Sequence, residues 1–180
     1  APQHVAEFIR ANRIPREAIP TQYLNDRGVW EALLADMPMT AMIRNLGKMT
    51  SIGLVTHGSD AERHIVTELL DEGRLKQARV HPLSLLVALK VYEQGHGEKG
   101  SLAWNASKRI VNALDEAFYL SFGTIESTGK RLCVALDVSA SMTWHKVAGM
   151  PITPREASAA MALVTVAVEP ETQVLAFASD

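Results

Sequence analysis

Arg131-Leu132-Cys133-Val134-Ala135-Leu136-Asp137-Val138-Ser139-Ala140-Ser141 is the stretch on which the fold turns. Arg131 leads into a short, unbroken apolar run that ends at Leu136, the pattern of a strand buried on both faces of a parallel sheet. Cys133 lies inside that run and is predicted to be a small buried residue. It is the sole cysteine of the chain, so no internal disulfide can form. A lone thiol fits a reducing, cytoplasmic compartment. Directly after the run come a carboxylate and two hydroxyls at alternate positions, Asp137, Ser139 and Ser141. Ligands of parallel sheets bind beyond the carboxyl ends of the strands. Oxygen donors placed there suit Mg²⁺ or a similar hard divalent cation. The competing reading is an Asx-type turn with two solvated serines.

Downstream, Thr153-Pro154-Arg155-Glu156 combines an N-cap, a proline at the first helical position and a capping-box glutamate. The helix it opens carries Ala157, Ala160, Met161, Val164 and Val168, and Gln173 to Phe177 reads as a second buried strand. Strand, helix and strand make one βαβ unit; a complete doubly wound domain needs more strands.

Upstream the period changes. Residues 124–130 are polar, contain Gly129 and read as a linker. Residues 1–123 read as successive helices with short connections. Val5, Phe8 and Ile9 mark one stripe, and Val29, Leu33 and Leu34 another; Met39, Met42, Ile43, Leu46 and Met49 recur at three- and four-residue steps. Ser59 with Glu62 predicts a capping box, and Gly73 a stop. Pro82 predicts a start and Gly95 a stop. Asn105 is the predicted N-cap of a helix over 106–122, with Ile110, Val111, Leu114, Phe118 and Phe122 inward. Paired helices with short turns suggest a HEAT-like stack.

The Asp-x-Ser-x-Ser run resembles the metal-ion-dependent adhesion site of von Willebrand A domains. That family completes its site with a threonine and an aspartate from later loops, expected beyond Asp180. The helical stretches Met37-Pro38-Met39-Thr40-Ala41-Met42-Ile43-Arg44-Asn45-Leu46-Gly47-Lys48-Met49-Thr50, Ala78-Arg79-Val80-His81-Pro82 and Gly95-His96-Gly97 resemble the TROVE domain of Ro autoantigen proteins. Thr128-Gly129-Lys130-Arg131, leading into Asp137, does so as well. The resemblance implies α-helical, HEAT-like repeats over 1–123, a linker over 124–130, and the first part of an α/β, Rossmann-like von Willebrand A domain over 131–180. It also implies that the chain is a piece of a longer protein. Expected partners are small noncoding RNAs of the Y RNA type and the single-stranded ends of misfolded or precursor RNAs, in ribonucleoproteins serving RNA quality control.

Residues 1–130 hold 15 basic and 15 acidic residues, and 131–180 hold 3 and 5, giving the net charge of −2. RNA binding must then come from basic groups gathered on one surface. Arg44 and Lys48, four apart, share a helix face. Lys76, Arg79 and His81 form a second group at a helix junction. Taken from the residues alone, these read first as ordinary solvated or intramolecularly paired charges, and the family resemblance is what favours an RNA surface. The six histidines have no zinc-type spacing. Of the three tryptophans, Trp144 in the polar loop is the best stacking candidate. No apolar run reaches the ~20 residues that span a bilayer, and no nucleophile has an evident paired base. The leading expectation is a non-enzymatic RNA-binding protein. The alternatives are a metal-dependent adhesion-type module that captures a partner's carboxylate, and a metal-dependent hydrolase using Asp137.

Overall fold

The computed structural model describes residues 1–178. Among the described residues seven α-helices precede the sheet: α1 (Pro2–Asn12), α2 (Arg27–Leu34), α3 (Met39–Ser51), α4 (Asp60–Leu69), α5 (Glu72–Gln77), α6 (Pro82–Gln94) and α7 (Lys108–Leu120). Then come β1 (Leu132–Asp137), α8 (Pro154–Val168) and β2 (Thr172–Phe177). The helices share one continuous core. Trp30, Met42, Leu46, Met49, Ile65, Leu69, Leu75, Leu85, Ile110 and Leu114 are among its largest fully buried members. Phe8 departs from the predicted stripe of α1: it is 58% exposed, while Ala6 and Ile9 turn inward.

Local chemistry explains most element ends. Pro82 opens α6, and Gly95 closes it in the left-handed conformation at φ 77°. A Cβ at Gly95 would lie 2.8 Å from the Trp104 carbonyl oxygen, so both conformation and space call for glycine. Thr153 and Glu156 form the full reciprocal capping box of α8. Other ends differ from the prediction. Asp71 caps a new helix by accepting from the Arg74 N–H, which places Gly73 inside α5 rather than at a stop. Ser107, not Asn105, caps α7. Ser59 caps α4 as predicted, but the Glu62 carboxylate turns away from the Ser59 N–H; it accepts instead from the Gly58 N–H, the Ser107 hydroxyl and the Arg109 guanidinium.

Strands β1 and β2 pair in parallel, Leu132 opposite Thr172 through Asp137 opposite Phe177. This is the predicted βαβ unit, but neither strand is buried. Cys133 is exposed, and Val174, Leu175 and Phe177 are 43%, 50% and 54% exposed. Among the described residues the sheet has two strands and α8 as its one helix. Side chains alternate across a strand, so the set turned from α8 has nothing to cover it. The segment before β1 is pinned to the end of α8: Glu169 accepts from the Ser127 hydroxyl and the Thr128 N–H. Lys90 of α6 and Glu156 of α8, 3.5 Å apart, make a second tie.

Candidate nucleic-acid interface

Helix α3 puts Thr40, Ile43, Arg44, Gly47 and Lys48 on one face, and α6 puts Leu83, Val87 and Val91 on another, at four-residue steps. Between them lies a cleft of about 880 Å³. Arg44, Lys48, Arg79 and His81 all line it, together with Arg16. Two basic groups separated by more than 30 residues of sequence are therefore brought to one place. Among the described residues no aspartate or glutamate lines the cleft.

Each basic residue is held differently. Arg16 sits after a turn and lays its guanidinium over the Trp30 ring, 5.9 Å from the centroid. Its Nε is buried with no hydrogen-bond partner among the described residues. Lys48 donates to the Asn25 amide oxygen at 2.7 Å. Arg79 follows α5 in the left-handed region, φ 50°, while Val80 N–H closes back onto the Leu75 carbonyl. That turn swings Arg79 away from the helix that carries Lys76, and Lys76 does not line the cleft. His81 caps α6, its Nδ1 accepting from the Leu83 N–H at 3.1 Å; Nε2 then carries the proton of the neutral ring. Sequence reading missed Arg16 and Asn25, which reach the cleft from irregular turns where no periodicity marks a face.

Trp104 lines the cleft as well. Its ring presses on Gly47 so closely that a Cβ there would stand 2.7 Å away, and its Nε1–H donates to the Tyr92 carbonyl. Trp30 is fully buried, while Trp144 is 70% exposed and outside the cleft. Behind Trp104, Glu62 is 1% exposed. Burial alone would raise its pKa. The Ser107 hydroxyl, the Gly58 N–H, Arg109 and His57 together hold it below the usual carboxylate range.

The loop after β1 forms a second candidate site. Asp137 Oδ1 accepts from the Ser139 N–H at 2.9 Å. Hydrogen bonds from the Ser139 side chain and backbone, aided by Arg155, keep the Asp137 carboxyl below its ordinary pKa, so it stays ionised. Ser139 is buried, and Ser141 lies exposed on the following 3-10 turn. The Arg155 guanidinium donates to the Val138 and Ser139 carbonyls and fixes the turn. The donors are all hard oxygens with one charge, which matches a hard cation in type. The same contacts also make the Asx turn of the alternative reading. Among the described residues no group of three His, Cys, Asp or Glu side chains is placed to bind a metal, and no helix is long and apolar enough to cross a membrane.

Comparison with known proteins bears on both sites. Residues 12–91 match the TROVE domain and residues 131–180 the Ro60 vWA domain. The chain is 45% identical over 176 residues to "RNA-binding protein RO60" of Caenorhabditis elegans, which covers 96% of this chain and 27% of that protein. It is 40% identical over 175 residues to the protein of the same name from Deinococcus radiodurans, covering 96% and 33%. The crystal structure of the Deinococcus radiodurans RO (RSR) protein superposes with a TM-score of 0.90 at 38% identity, over 98% of this chain and 36% of that one. The chain thus spans a third or less of the length of these curated relatives.

Proposed function

Because the chain belongs to the Ro family of TROVE-domain proteins, we propose that it binds RNA through the cleft between α3 and α6. One observation carries this reading: Arg16, Arg44, Lys48 and Arg79, with His81 beside them, line a single cavity that no carboxylate lines among the described residues. Cations gathered in a concave site focus field and attract a polyanion. Phosphate contacts dominate nucleic-acid affinity and make it fall with salt. Arg44 and Arg79 are exposed and make no ion pair among the described residues, so binding a phosphate breaks no existing pair. The finer reading takes the ligands to be Y RNA-type small RNAs and the single-stranded ends of misfolded or precursor RNAs. It rests on the RNA-binding character named for the relatives and on the family resemblance. The protein acts by binding, not by turnover.

The test is RNA affinity measured against salt for the protein and its Arg44→Ala/Lys48→Ala variant. The variant is expected to bind more weakly across sequences. Its plot of log affinity against log salt should flatten by about 0.7 for each phosphate of a single strand that the protein no longer neutralises. Unchanged affinity and slope remove the cleft from the interface.

The Asp137 turn supports a companion proposal. Asp137, Ser139 and Ser141 would hold a Mg²⁺-type cation, which when bound supplies a positive charge able to receive a partner's carboxylate or phosphate. This chain's contribution is an ionised carboxylate held by Ser139. One charged ligand makes a weak site, on the order of millimolar by analogy with the weakest Ca²⁺ modules. Calorimetric titration of Mg²⁺ into the protein and its Asp137→Ala variant decides it: equal heats from both leave the run as a structural turn.

A further inference from the structure

The two walls of the cleft differ. Its α3 wall and ends carry the charges. Its α6 wall is mostly aliphatic: Leu83, Val87 and Val91 are all half-buried and line the cavity, with Ser84 near its start, Tyr92 near its end and Trp104 at the margin. Helix α6 buries Leu85, Leu89 and Tyr92 and packs Leu83 against the core as well, whereas Val87 and Val91 are not part of that packing. Phosphate groups have no use for such a wall, and apolar surface left open in a concave site marks a contact.

We infer that the cleft is a nucleotide-unit site, in which the α6 wall takes an unpaired base while the cations on α3 and the flanking turns hold the phosphates. The inference rests on the RNA reading above and goes further by assigning a place to the base. Four considerations favour a base over another apolar group. The volume of about 880 Å³ lies within the ~300–1,000 Å³ range of ligand-sized pockets. The charges come from several separated positions, Arg16, Arg44, Lys48 and Arg79, which suits successive phosphates better than the single carboxylate of an acyl chain. Asn45, on the cleft wall, commits its amide nitrogen to the Ala41 carbonyl and so keeps its amide oxygen as an acceptor for a base N–H. A base held in a duplex presents only its edges, so the aliphatic wall can be used by an unstacked base alone.

The experiment compares a labelled ten-nucleotide unstructured RNA with an abasic ribose-phosphate oligomer of the same length, by fluorescence anisotropy. The protein, its Val87→Trp variant and its Arg44→Ala/Lys48→Ala variant are each titrated. Val87→Trp fills the apolar side without touching charge. The expected result is about tenfold weaker binding of the abasic oligomer, the order of one base packed on a protein surface. Val87→Trp should bring the intact RNA down to the abasic level while leaving the salt slope unchanged. If intact and abasic oligomers bind alike, and the charge variant weakens both, the base site is overturned and the RNA reading stands. If no RNA binds, both fall. Should Val87→Trp fail to fold, the intact-to-abasic ratio on the unaltered protein decides alone.

Discussion

In α7, Ile110, Leu114 and Ala117 are wholly buried; in β2, Val174, Leu175 and Phe177 are each about half exposed. Both segments are comparably apolar, and the difference lies in how each element finds cover. A helix satisfies its own backbone and needs only a stripe of contact, and α7 obtains that from α4 and α6 on either side. A parallel strand leans on a neighbour for every backbone bond and on two further layers for its side chains. Strands β1 and β2 have each other and one helix. Apolar composition therefore sets what an element can bury, while neighbours set what it does bury.

The largest expected effect separates the two regions directly. Leu114→Ala should cost about 2–5 kcal/mol in urea unfolding, the range for an aliphatic side chain removed from a packed core. Val174→Ala should stay within about 0.5 kcal/mol, as for exposed sites. Similar losses at the two positions would break the comparison.

Glu62→Gln sharpens it, because Glu62 is a buried charge that the helical part fully pairs. Leaving its donors imperfectly met should cost about 1–3 kcal/mol. Since the folded state holds the Glu62 pKa down, the carboxylate's contribution is complete above the ordinary carboxylate range. It is lost as pH falls through the lowered value. The stability gap between protein and variant should therefore shrink on acidification, and a gap independent of pH would show that the network is not ionic. Gly47→Ala tests the same core from the cleft side. Its Cβ would meet the Trp104 ring at 2.7 Å, and overpacking of this kind costs about 1–3 kcal/mol, read as a lower melting temperature. An unchanged melt would mean that Trp104 is free to shift.

The smallest effect on stability, but the sharpest on reactivity, concerns Cys133. Being exposed, it should react with a thiol reagent in the native protein at close to the denatured rate. Labelling slowed by about 100-fold or more, the mark of a thiol shielded by packing, would show that the outer face of the sheet is covered in solution.

Where structure follows from chemistry within four residues, the sequence was a good guide but not a complete one: Gly73 lies inside α5 rather than at a stop, and Ser107 rather than Asn105 caps α7. Pro82 and Gly95 bound α6, and Thr153 with Glu156 starts α8. The approach of Arg44 to Lys48 is helix geometry. Other features that escaped depend on partners far along the chain or on turns without a period. Glu62 gives up its local N–H for Ser107 and Arg109, more than 40 residues away. Arg16 reaches the cleft from a turn with no period. Lys76 and Arg79 look like one group in sequence, yet a single left-handed residue parts them. The strand pattern indicated β structure correctly, but a run of apolar residues states a demand for burial and says nothing of whether it is met.

Met150 belongs to the loop between β1 and α8, yet it lines the cleft between α3 and α6. The same loop begins at the Asp137 turn. Occupancy of the cleft and the position of that loop are therefore coordinates of one energy surface. If a ligand in the cleft and a cation at the turn favour different placements of this loop, each changes the other's affinity by the same factor. The size of that coupling is a thermodynamic quantity, obtained by titrating RNA with and without Mg²⁺ and then Mg²⁺ with and without RNA, and the two ratios must agree.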